Sequence, residues 1–380
     1  MPAIPHIKKK IGNSYLVWFQ NTNSYVKFEE PAWFVFQKTL KKYKPEDIIE
    51  DFSLRYDADK PESRLFVSEI QSKIEILNQT DHSIIAEPVP DKIVKFHFIP
   101  FSVHHYRFGS KIITFYYETK EFEYYLHPLI SHLETEEAQD ETSLFELFGY
   151  DHHVVFRLNG TIKGIWKHDE THLVKGLVFL SLASVMHQKT DSDWLMTVHA
   201  SAITNQRKTI LFSAPPGHGK TTIAALLQAR GYQLVSDDFV PIDKNRFCAF
   251  PFPIAMSVKE GSVEVLYPHF KDLKEKQLNF ISQEKSVRYL TPKVKNDYLG
   301  DIFPVKDFIF VEYSSNVHFA WEKLELTKAI QLLLEQVWIN PVKENIRILF
   351  DQIRHISFYK LTYSKNKRAI AAITHLFKNE

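Results

Sequence analysis

The chain has 380 residues, of which 44% are hydrophobic and 24% charged, and its formal net charge is +1. This length exceeds one ordinary domain and predicts two or three, with enough apolar residues to bury a core. A net charge near zero gives no electrostatic reason to expect nucleic acid or an anionic membrane as a partner, so we expect neither.

The features that bear on the compartment favour the cytoplasm. The single cysteine, Cys248, cannot form an intrachain disulfide, which favours a reducing environment. The basic start, MPAIPHIKKKIGN, has no apolar stretch behind it and is not typical of a signal peptide. Lys175 interrupts the most apolar helical window, 173–186, which is also too short to span a bilayer. We therefore expect a cytoplasmic protein.

Residues 1–80 are predicted to form a small domain of their own. Two strand-like runs, 15–20 and 24–28, are joined by the turn-prone sequence Asn-Thr-Asn. Three helices are then predicted, each with a proline near its start, from residues 31, 45 and 61. Two strands followed by three short helices predict a winged-helix-like α+β domain.

This pattern resembles the PqqD-like domain, which recognises leader peptides in the maturation of ribosomally made peptides. The resemblance covers residues 10–78 and implies that a leader peptide adds as an extra strand beside 24–28, where Tyr25 and Val26 would contact it. The third helix, 62–76, would form the other wall of the groove. The alternative is a winged helix that only packs on its neighbour or binds DNA.

The middle of the chain, after a predicted linker at 81–90, is expected to be mostly sheet. An antiparallel sheet is predicted from five runs rich in aromatic and β-branched residues: 93–99, 112–117, 121–125, 154–158 and 160–166. The acidic segment 134–141 is predicted to be a solvated loop, and 171–189 an amphipathic helix.

From residue 194 onward the pattern changes to strands separated by helices, which predicts an α/β core. Strands are expected at 195–200, 208–213, 232–235, 308–313 and 356–363. Helices are expected at 221–230, 327–338, 341–354 and 366–378. The first of these helices stops at Gly231, a residue suited to ending a helix.

A phosphate-binding loop of the Walker A type is predicted at 214–221, APPGHGKT, between an apolar strand and a helix. Gly217 and Gly219 let backbone N–H groups turn toward phosphate oxygens, Lys220 can reach the β- and γ-phosphates, and the Thr221 hydroxyl can ligate Mg²⁺. The usual first glycine is Ala214, which tolerates fewer backbone conformations.

An aspartate pair, Asp237-Asp238, closes the strand that follows the phosphate-loop helix. One carboxylate there can hold Mg²⁺, and the other can accept a proton from an attacking hydroxyl. The sequence does not assign which aspartate does which. A capping or solvated turn would be the simpler interpretation of an isolated Asp pair, but its position after a phosphate loop favours function.

The run VHASAI, strand, PPGHGKTT, helix, GYQLVSDDFV resembles the HPr kinase/phosphorylase family, and more closely its divergent relatives. The resemblance implies a fold shared with phosphoenolpyruvate carboxykinase over 91–380, with a β-rich and helical part at 91–190 and the phosphate-loop core at 194–380. It implies a catalytic role for His199, whose alternative is a structural histidine, and catalytic and Mg²⁺-binding roles for Asp237 and Asp238. It also implies an ATP site formed by Gly217, His218, Gly219, Lys220, Thr221 and Thr222.

Two departures limit what the resemblance implies. The glycine-rich signature by which HPr kinases recognise their carrier protein is replaced by AFPFPIAMSVKEG, so HPr is not expected as the substrate. The reverse, phosphorylase reaction is therefore left open. Arg288 follows a charged loop and could contact phosphate or substrate, the alternative being a solvated arginine.

Together these patterns predict an ATP- and Mg²⁺-dependent kinase with an N-terminal peptide-recognition domain. The expected reaction moves the γ-phosphate of ATP to a hydroxyl, with serine expected, of a ribosomal precursor peptide held by its leader. The alternatives are a kinase of a small-molecule or carbohydrate hydroxyl, and a non-catalytic ATP-gated adaptor that presents a peptide. A homo-oligomer stays open.

Overall fold

The computed structural model describes residues 4–79, 90–136, 143–282, 285–293 and 300–378. The described helices are α1 Glu30–Leu40, α2 Pro45–Tyr56, α3 Lys60–Leu77, α4 Asp91–Val94, α5 Lys120–Ile130, α6 Thr171–Met186, α7 Lys220–Gln228, α8 Glu260–Leu266, α9 Leu326–Leu334, α10 Lys343–Gln352 and α11 Asn366–Lys378. The described strands are β1 His6–Ile11, β2 Ser14–Phe19, β3 Ser24–Phe28, β4 Ser102–Phe108, β5 Lys111–Tyr117, β6 Ser143–Tyr150, β7 His153–Leu158, β8 Thr161–Lys167, β9 Trp194–Val198, β10 Ser201–Thr204, β11 Thr209–Ser213, β12 Gln233–Ser236, β13 Val240–Asp243, β14 Cys248–Ala249, β15 Met256–Lys259, β16 Leu278–Ser282, β17 Lys285–Leu290, β18 Phe303–Tyr313, β19 Phe319–Lys323, β20 Val337–Ile339 and β21 Ser357–Tyr363.

The chain divides into two compact units. The first consists of Met1–Pro88 with two later segments, Glu325–Gln331 and Ile339–Arg354, and the second contains the remainder. The sequence analysis had placed both later segments in the kinase core. The predicted linker, 81–90, lies outside the described residues except for Pro90, and the acidic segment is described only to residue 136.

In the first unit, β1, β2 and β3 form an antiparallel sheet in that order, and α1, α2 and α3 follow. Each of the three helices has a proline in its first turn, where no intrahelical N–H is lost. The sequence analysis missed β1, because three consecutive lysines in HIKKKI hide the alternation of a half-buried strand. Whether this unit is of the winged-helix type stays a prediction.

Helix α10 belongs to the same unit and packs beside β1. The Lys9 ammonium forms an ion pair with Asp351 at 2.5 Å, and the rings of Tyr25 and Phe350 meet edge to face with centroids 6.4 Å apart. Val26, the next residue of β3, instead joins the apolar cluster that contains Ile70 and Ile74 of α3. The two faces of this sheet are therefore covered by different helices.

The second unit contains a five-stranded sheet, β4-β5-β6-β7-β8, that is mixed rather than antiparallel because β5 and β6 run parallel. The predicted strand at 121–125 is wrong, since these residues lie in α5. The Thr119 hydroxyl accepts a hydrogen bond from the Phe122 N–H and caps this helix, and Phe122 and Leu126 are buried at helical spacing.

The predicted strand at 93–99 is also wrong. Residues 93 and 94 are the end of the short helix α4, and 95–99 form no strand. The Arg157 guanidinium donates hydrogen bonds to the carbonyls of Val94 and Phe96 at 3.5 and 2.8 Å. Arg157 is buried in a two-pronged ion pair with Glu146, with both N–O distances 2.6 Å. A side chain from β7 therefore satisfies carbonyls that a sheet partner would otherwise bind.

The phosphate loop leaves the largest sheet, whose strand order is β12-β10-β11-β18-β14-β13-β9-β20, with β21 beside β18 and β19 beside β21. Strands β11, β18 and β21 run parallel, and every residue of β11 is buried. Helix α7 follows β11 after the loop 214–219 and buries almost its whole length against this sheet. The second unit also contains a smaller sheet in the order β15-β17-β16. The predicted α/β class is confirmed.

Candidate active site

The loop between β11 and α7 turns from the core into solvent and back. Ala214 is buried and lies outside the left-handed backbone region, so the loss of the usual glycine strains nothing there. Pro215, Pro216 and Gly217 are exposed, and Lys220 is buried again as the first residue of α7. The loop therefore presents its middle to solvent while both of its ends are held by the core.

Gly219 is required by both conformation and space. Its φ is +94°, and a Cβ at this position would lie 2.4 Å from the hydroxyl oxygen of the buried Tyr363. Gly217 has the same φ of +94°, which L side chains rarely adopt. On the far side of the loop, the His218 carbonyl accepts a hydrogen bond from the Tyr313 N–H at 3.1 Å.

The aspartate pair lies directly beside the start of α7. Asp237 is fully buried, and its carboxylate accepts hydrogen bonds from the hydroxyls of Ser201 and Thr221, the latter at 3.2 Å. Asp238 has a left-handed backbone with φ of +65°, which turns its carboxylate toward the Lys220 ammonium. Lys220 Nζ also lies 3.9 Å from Asp237 Oδ1.

Burial and the neighbouring charges shift the pKa values of these three groups. Burial and the neighbouring Asp238 charge raise the pKa of Asp237 to about 6. Burial alone would also raise the pKa of Asp238, but the adjacent Lys220 ammonium holds it at about 2. Burial acts to lower the pKa of Lys220, and the two carboxylates more than offset this, so its pKa is raised. Lys220 and Asp238 therefore form an ion pair near neutral pH.

His199 follows β9 and reaches the same place from another strand. The ring Nδ1 of His199 donates to the backbone carbonyl of Asp238 at 3.2 Å. The backbone N–H of His199 donates to the Gln336 carbonyl at 2.8 Å. Partial burial of the ring, followed by the charge of Lys220, lowers the pKa of His199. The ring is therefore neutral near pH 7, with Nδ1 carrying the proton and Nε2 left as an acceptor.

Two lysines that the sequence analysis did not propose lie within electrostatic reach of this pair. Burial, offset in part by Asp238, lowers the pKa of Lys175 on α6, and burial and Lys285 lower that of Lys259 at the end of β15. Lys259 Nζ lies 3.6 Å from the position that a Cβ on Gly217 would occupy. A single lysine in an otherwise apolar helix was the signal for Lys175; no comparable signal marked Lys259.

The other predicted contacts lie elsewhere. Arg288 donates to Glu260 Oε1 at 2.9 Å and to the carbonyls of Lys274 and Lys276, which is how a structural arginine is used. Thr222 shares a 2.7 Å hydrogen bond with the Ser262 hydroxyl. Tyr25 and Val26 belong to the first unit, and Tyr25 faces Phe350 rather than the third helix.

The comparisons with known proteins give little beyond this geometry. No family model matches the chain, and no curated protein matches it. One solved structure that matches is that of the HPr(Ser) kinase/phosphatase from Coxiella burnetii, with 13% identity, covering 48% of this chain and 94% of that chain at a TM-score of 0.21. Within the described ranges, no helix has both the length and the apolarity that crossing a membrane requires.

Proposed function

We propose that this chain is a phosphotransferase that uses ATP and Mg²⁺ and delivers the γ-phosphate to a hydroxyl. The observation that carries the proposal is the convergence of the phosphate-loop residues Lys220 and Thr221 with the carboxylates of Asp237 and Asp238. Positioning and charge stabilisation supply most of the catalysis of phosphoryl transfer, so an ammonium, a hydroxyl and two carboxylates at one place are the groups required.

The residues present fit a nucleoside triphosphate with a bound Mg²⁺ ion. Lys220 and Lys259 supply positive charge at the loop, and Gly217 and Gly219, both with a φ of +94°, allow the turn in which loop N–H groups could face phosphate oxygens. The buried Asp237 carboxylate and the Thr221 hydroxyl are 3.2 Å apart and offer the oxygen ligands that Mg²⁺ prefers. When bound, Mg²⁺ would neutralise charge on the phosphates.

The geometry favours different roles for the two aspartates. Asp237 is buried and held by two hydroxyls, which suits a fixed metal ligand. The side chain of Asp238 is 34% exposed and can meet an incoming hydroxyl. We assign proton acceptance to it in the ATP complex, where the Lys220 ammonium would turn from Asp238 to the phosphates and no longer lower the pKa of this carboxylate. His199, bonded to the Asp238 carbonyl, acts as a positioning residue that holds the strained backbone of Asp238 in place.

For the acceptor, we propose a serine of a ribosomal precursor peptide whose leader adds to β3 as a further strand. Two observations support this part of the proposal. Within the described residues, β3 is an edge of the sheet, with β2 on its one paired side. Val26 lies in the apolar cluster shared with α3, so a strand beside β3 would run along the apolar edge of that cluster.

The phosphotransferase assignment is tested by ADP production from ATP and Mg²⁺. Lys220→Ala should lower turnover at least about a hundredfold, because charge on the transferred group is no longer neutralised. Lys163→Ala is the matched control, since Lys163 pairs with Asp191 at 3.2 Å elsewhere in the same unit. Full turnover by folded Lys220→Ala protein would contradict the assignment of this chain as a phosphotransferase.

The acceptor is tested with a precursor peptide encoded beside this gene. Val26→Pro should raise the KM for the peptide and leave peptide-independent ADP production unchanged, because proline weakens an edge strand. Val26→Thr keeps the backbone donor and should behave like the wild type. Point variants are preferable to deleting residues 1–80, since α10 packs on that sheet and would lose its partner. An unchanged KM in folded Val26→Pro protein would favour a small-molecule acceptor.

A further inference from the structure

A cluster of two imidazoles and two carboxylates lies outside the residues assigned to phosphate transfer. His104 on β4 has both ring nitrogens beside carboxylates: Nδ1 is 2.5 Å from Glu134 Oε1, and Nε2 is 3.0 Å from Glu123 Oε1. The ring of His127, one helical turn after Glu123 on α5, lies 4.4 Å from that of His104, centroid to centroid. One ligand atom each from His104, His127 and Glu134 lie within 4.8 Å of one another.

The surrounding structure already holds these side chains in place. Tyr106 is fully buried, and its hydroxyl is 2.7 Å from His127 Nδ1, so Nε2 is the His127 nitrogen that could bind a metal. The backbone of Glu134 forms an antiparallel bridge with Tyr106, and the Thr135 N–H donates to the His105 carbonyl at 2.9 Å. Hydrogen bonds that orient a histidine through its second nitrogen are typical of metal ligands.

The chemistry of the cluster also suits a divalent cation. Two carboxylates, those of Glu123 and Glu134, face His104. Even a protonated His104 would balance only one of these two negative charges, which leaves the cluster negative.

We propose that His104, His127 and Glu134 bind a Zn²⁺ ion, with Glu123 and Tyr106 orienting the two histidines. Two nitrogens and one carboxylate oxygen form a donor set that zinc uses, with a fourth position left for water. Tetrahedral ligands at zinc lie about 3.4 Å apart, so His104 Nδ1 and Glu134 Oε1 need to separate by about an ångström, and ligand atoms near the 4.8 Å limit need to approach by a similar amount. The side chain of Glu134 is 44% exposed and can rotate by that much. The proposal is independent of the phosphotransferase assignment.

The ion would fasten α5 to β4. The end of α5 supports the segment before β15, because the Ala255 N–H donates to the Leu129 carbonyl at 2.8 Å and His132 Nε2 donates to the Pro253 carbonyl at 2.9 Å. Strand β15 ends in Lys259, beside the phosphate loop. Zinc would therefore stabilise α5 and, through it, the segment that leads into β15 and Lys259.

The test is Zn²⁺ binding by the full chain after chelation, measured as bound zinc per chain in excess Mg²⁺. Wild-type protein should bind one Zn²⁺, and zinc X-ray absorption should show two imidazole ligands. Glu134→Gln and His104→Ala should each weaken binding at least tenfold, and Glu123→Gln by about ten- to a hundredfold. His105→Ala is the matched control, since His105 is adjacent on β4 and bonded to Thr114 Oγ1 at 2.9 Å.

Thermal unfolding gives a second readout that does not depend on activity. Zn²⁺ should raise the Tm of the wild type and of His105→Ala, and it should leave that of Glu134→Gln unchanged. The exposed Glu134 makes this variant the one least able to disturb folding. No bound zinc in the wild type, or wild-type zinc affinity in Glu134→Gln and His104→Ala, would overturn the proposal.

Discussion

Replacing Lys220 by methionine should destabilise the nucleotide-free protein as well as remove its activity. The side chain of Lys220 is 9% exposed and lies against both Asp237 and Asp238. Removing one partner of a buried ion pair leaves an uncompensated charge and costs about 3–5 kcal/mol. Because the Asp238 side chain is 34% exposed, we expect a loss near the lower end, about 3 kcal/mol.

The loss should depend on pH with a defined sign. Lys220 lowers the pKa of folded Asp238 to about 2, so the stability that this group contributes is present above its unfolded pKa of about 3.9 and is lost as pH falls toward 2. In Lys220→Met that contribution is absent, and burial raises the pKa of the carboxylate instead. The stability difference between wild type and variant should therefore be larger at pH 7 than at pH 4.

The assay is urea unfolding of both proteins at the two pH values, without nucleotide, followed by tryptophan fluorescence and circular dichroism. The double variant Lys220→Met/Asp238→Asn should recover most of the lost free energy of unfolding, because it removes the uncompensated charge. Lys360→Met, which breaks an exposed pair with Glu312, should cost about 0–1 kcal/mol. A similarly small loss for Lys220→Met, or a double variant no more stable than the single one, would refute the reasoning.

Three further predictions concern the carboxylates, the loop and the support of the second unit. Asp237→Asn and Asp238→Asn should each keep ATP binding but lower turnover at least about a hundredfold, and Asp237→Asn should also raise the Mg²⁺ requirement; wild-type rates in both would make the pair structural. Gly219→Ala should weaken ATP binding by about tenfold in titration calorimetry, through strain of about 1–3 kcal/mol, whereas Gly231→Ala, with a φ of +92° but open space, should leave binding unchanged. Glu146→Gln, which leaves Arg157 buried without its charged partner, should lower the free energy of unfolding by about 3 kcal/mol, and Glu69→Gln, in an exposed pair, should lower it by less than about 1 kcal/mol.

The local parts of the site could be predicted from sequence because each motif carries its own geometry. A buried strand, a glycine loop and a helix over 208–230 follow directly from residue pattern, and the structure has β11, the loop and α7 there. The position of Asp237 and Asp238 beside Lys220 follows from strand-end placement. Short-range rules suffice where one strand, one turn and one helix form the unit.

What the sequence could not predict depends on contacts between distant segments. Lys175 and Lys259 approach the loop from α6 and β15, and no spacing rule relates them to Lys220. Helix α10 belongs to the first unit although it lies far along the chain. Its helical pattern predicts a helix but not the sheet on which that helix packs. In α5, the aromatic-rich run 121–125 predicted a strand, but Thr119 caps a helix there, and Phe122 and Leu126 are buried at helical spacing.

The central claim, that the loop 214–221 with its aspartate pair is a nucleotide-phosphate site, is tested most directly by calorimetric titration of the full chain with ATP. The account predicts that one ATP binds per chain, that binding is stronger with Mg²⁺ than without it, and that Lys220→Ala weakens binding at least about tenfold, the equivalent of 1.4 kcal/mol. Absence of ATP binding by the wild type, or equal affinity in wild type and folded Lys220→Ala, would contradict it.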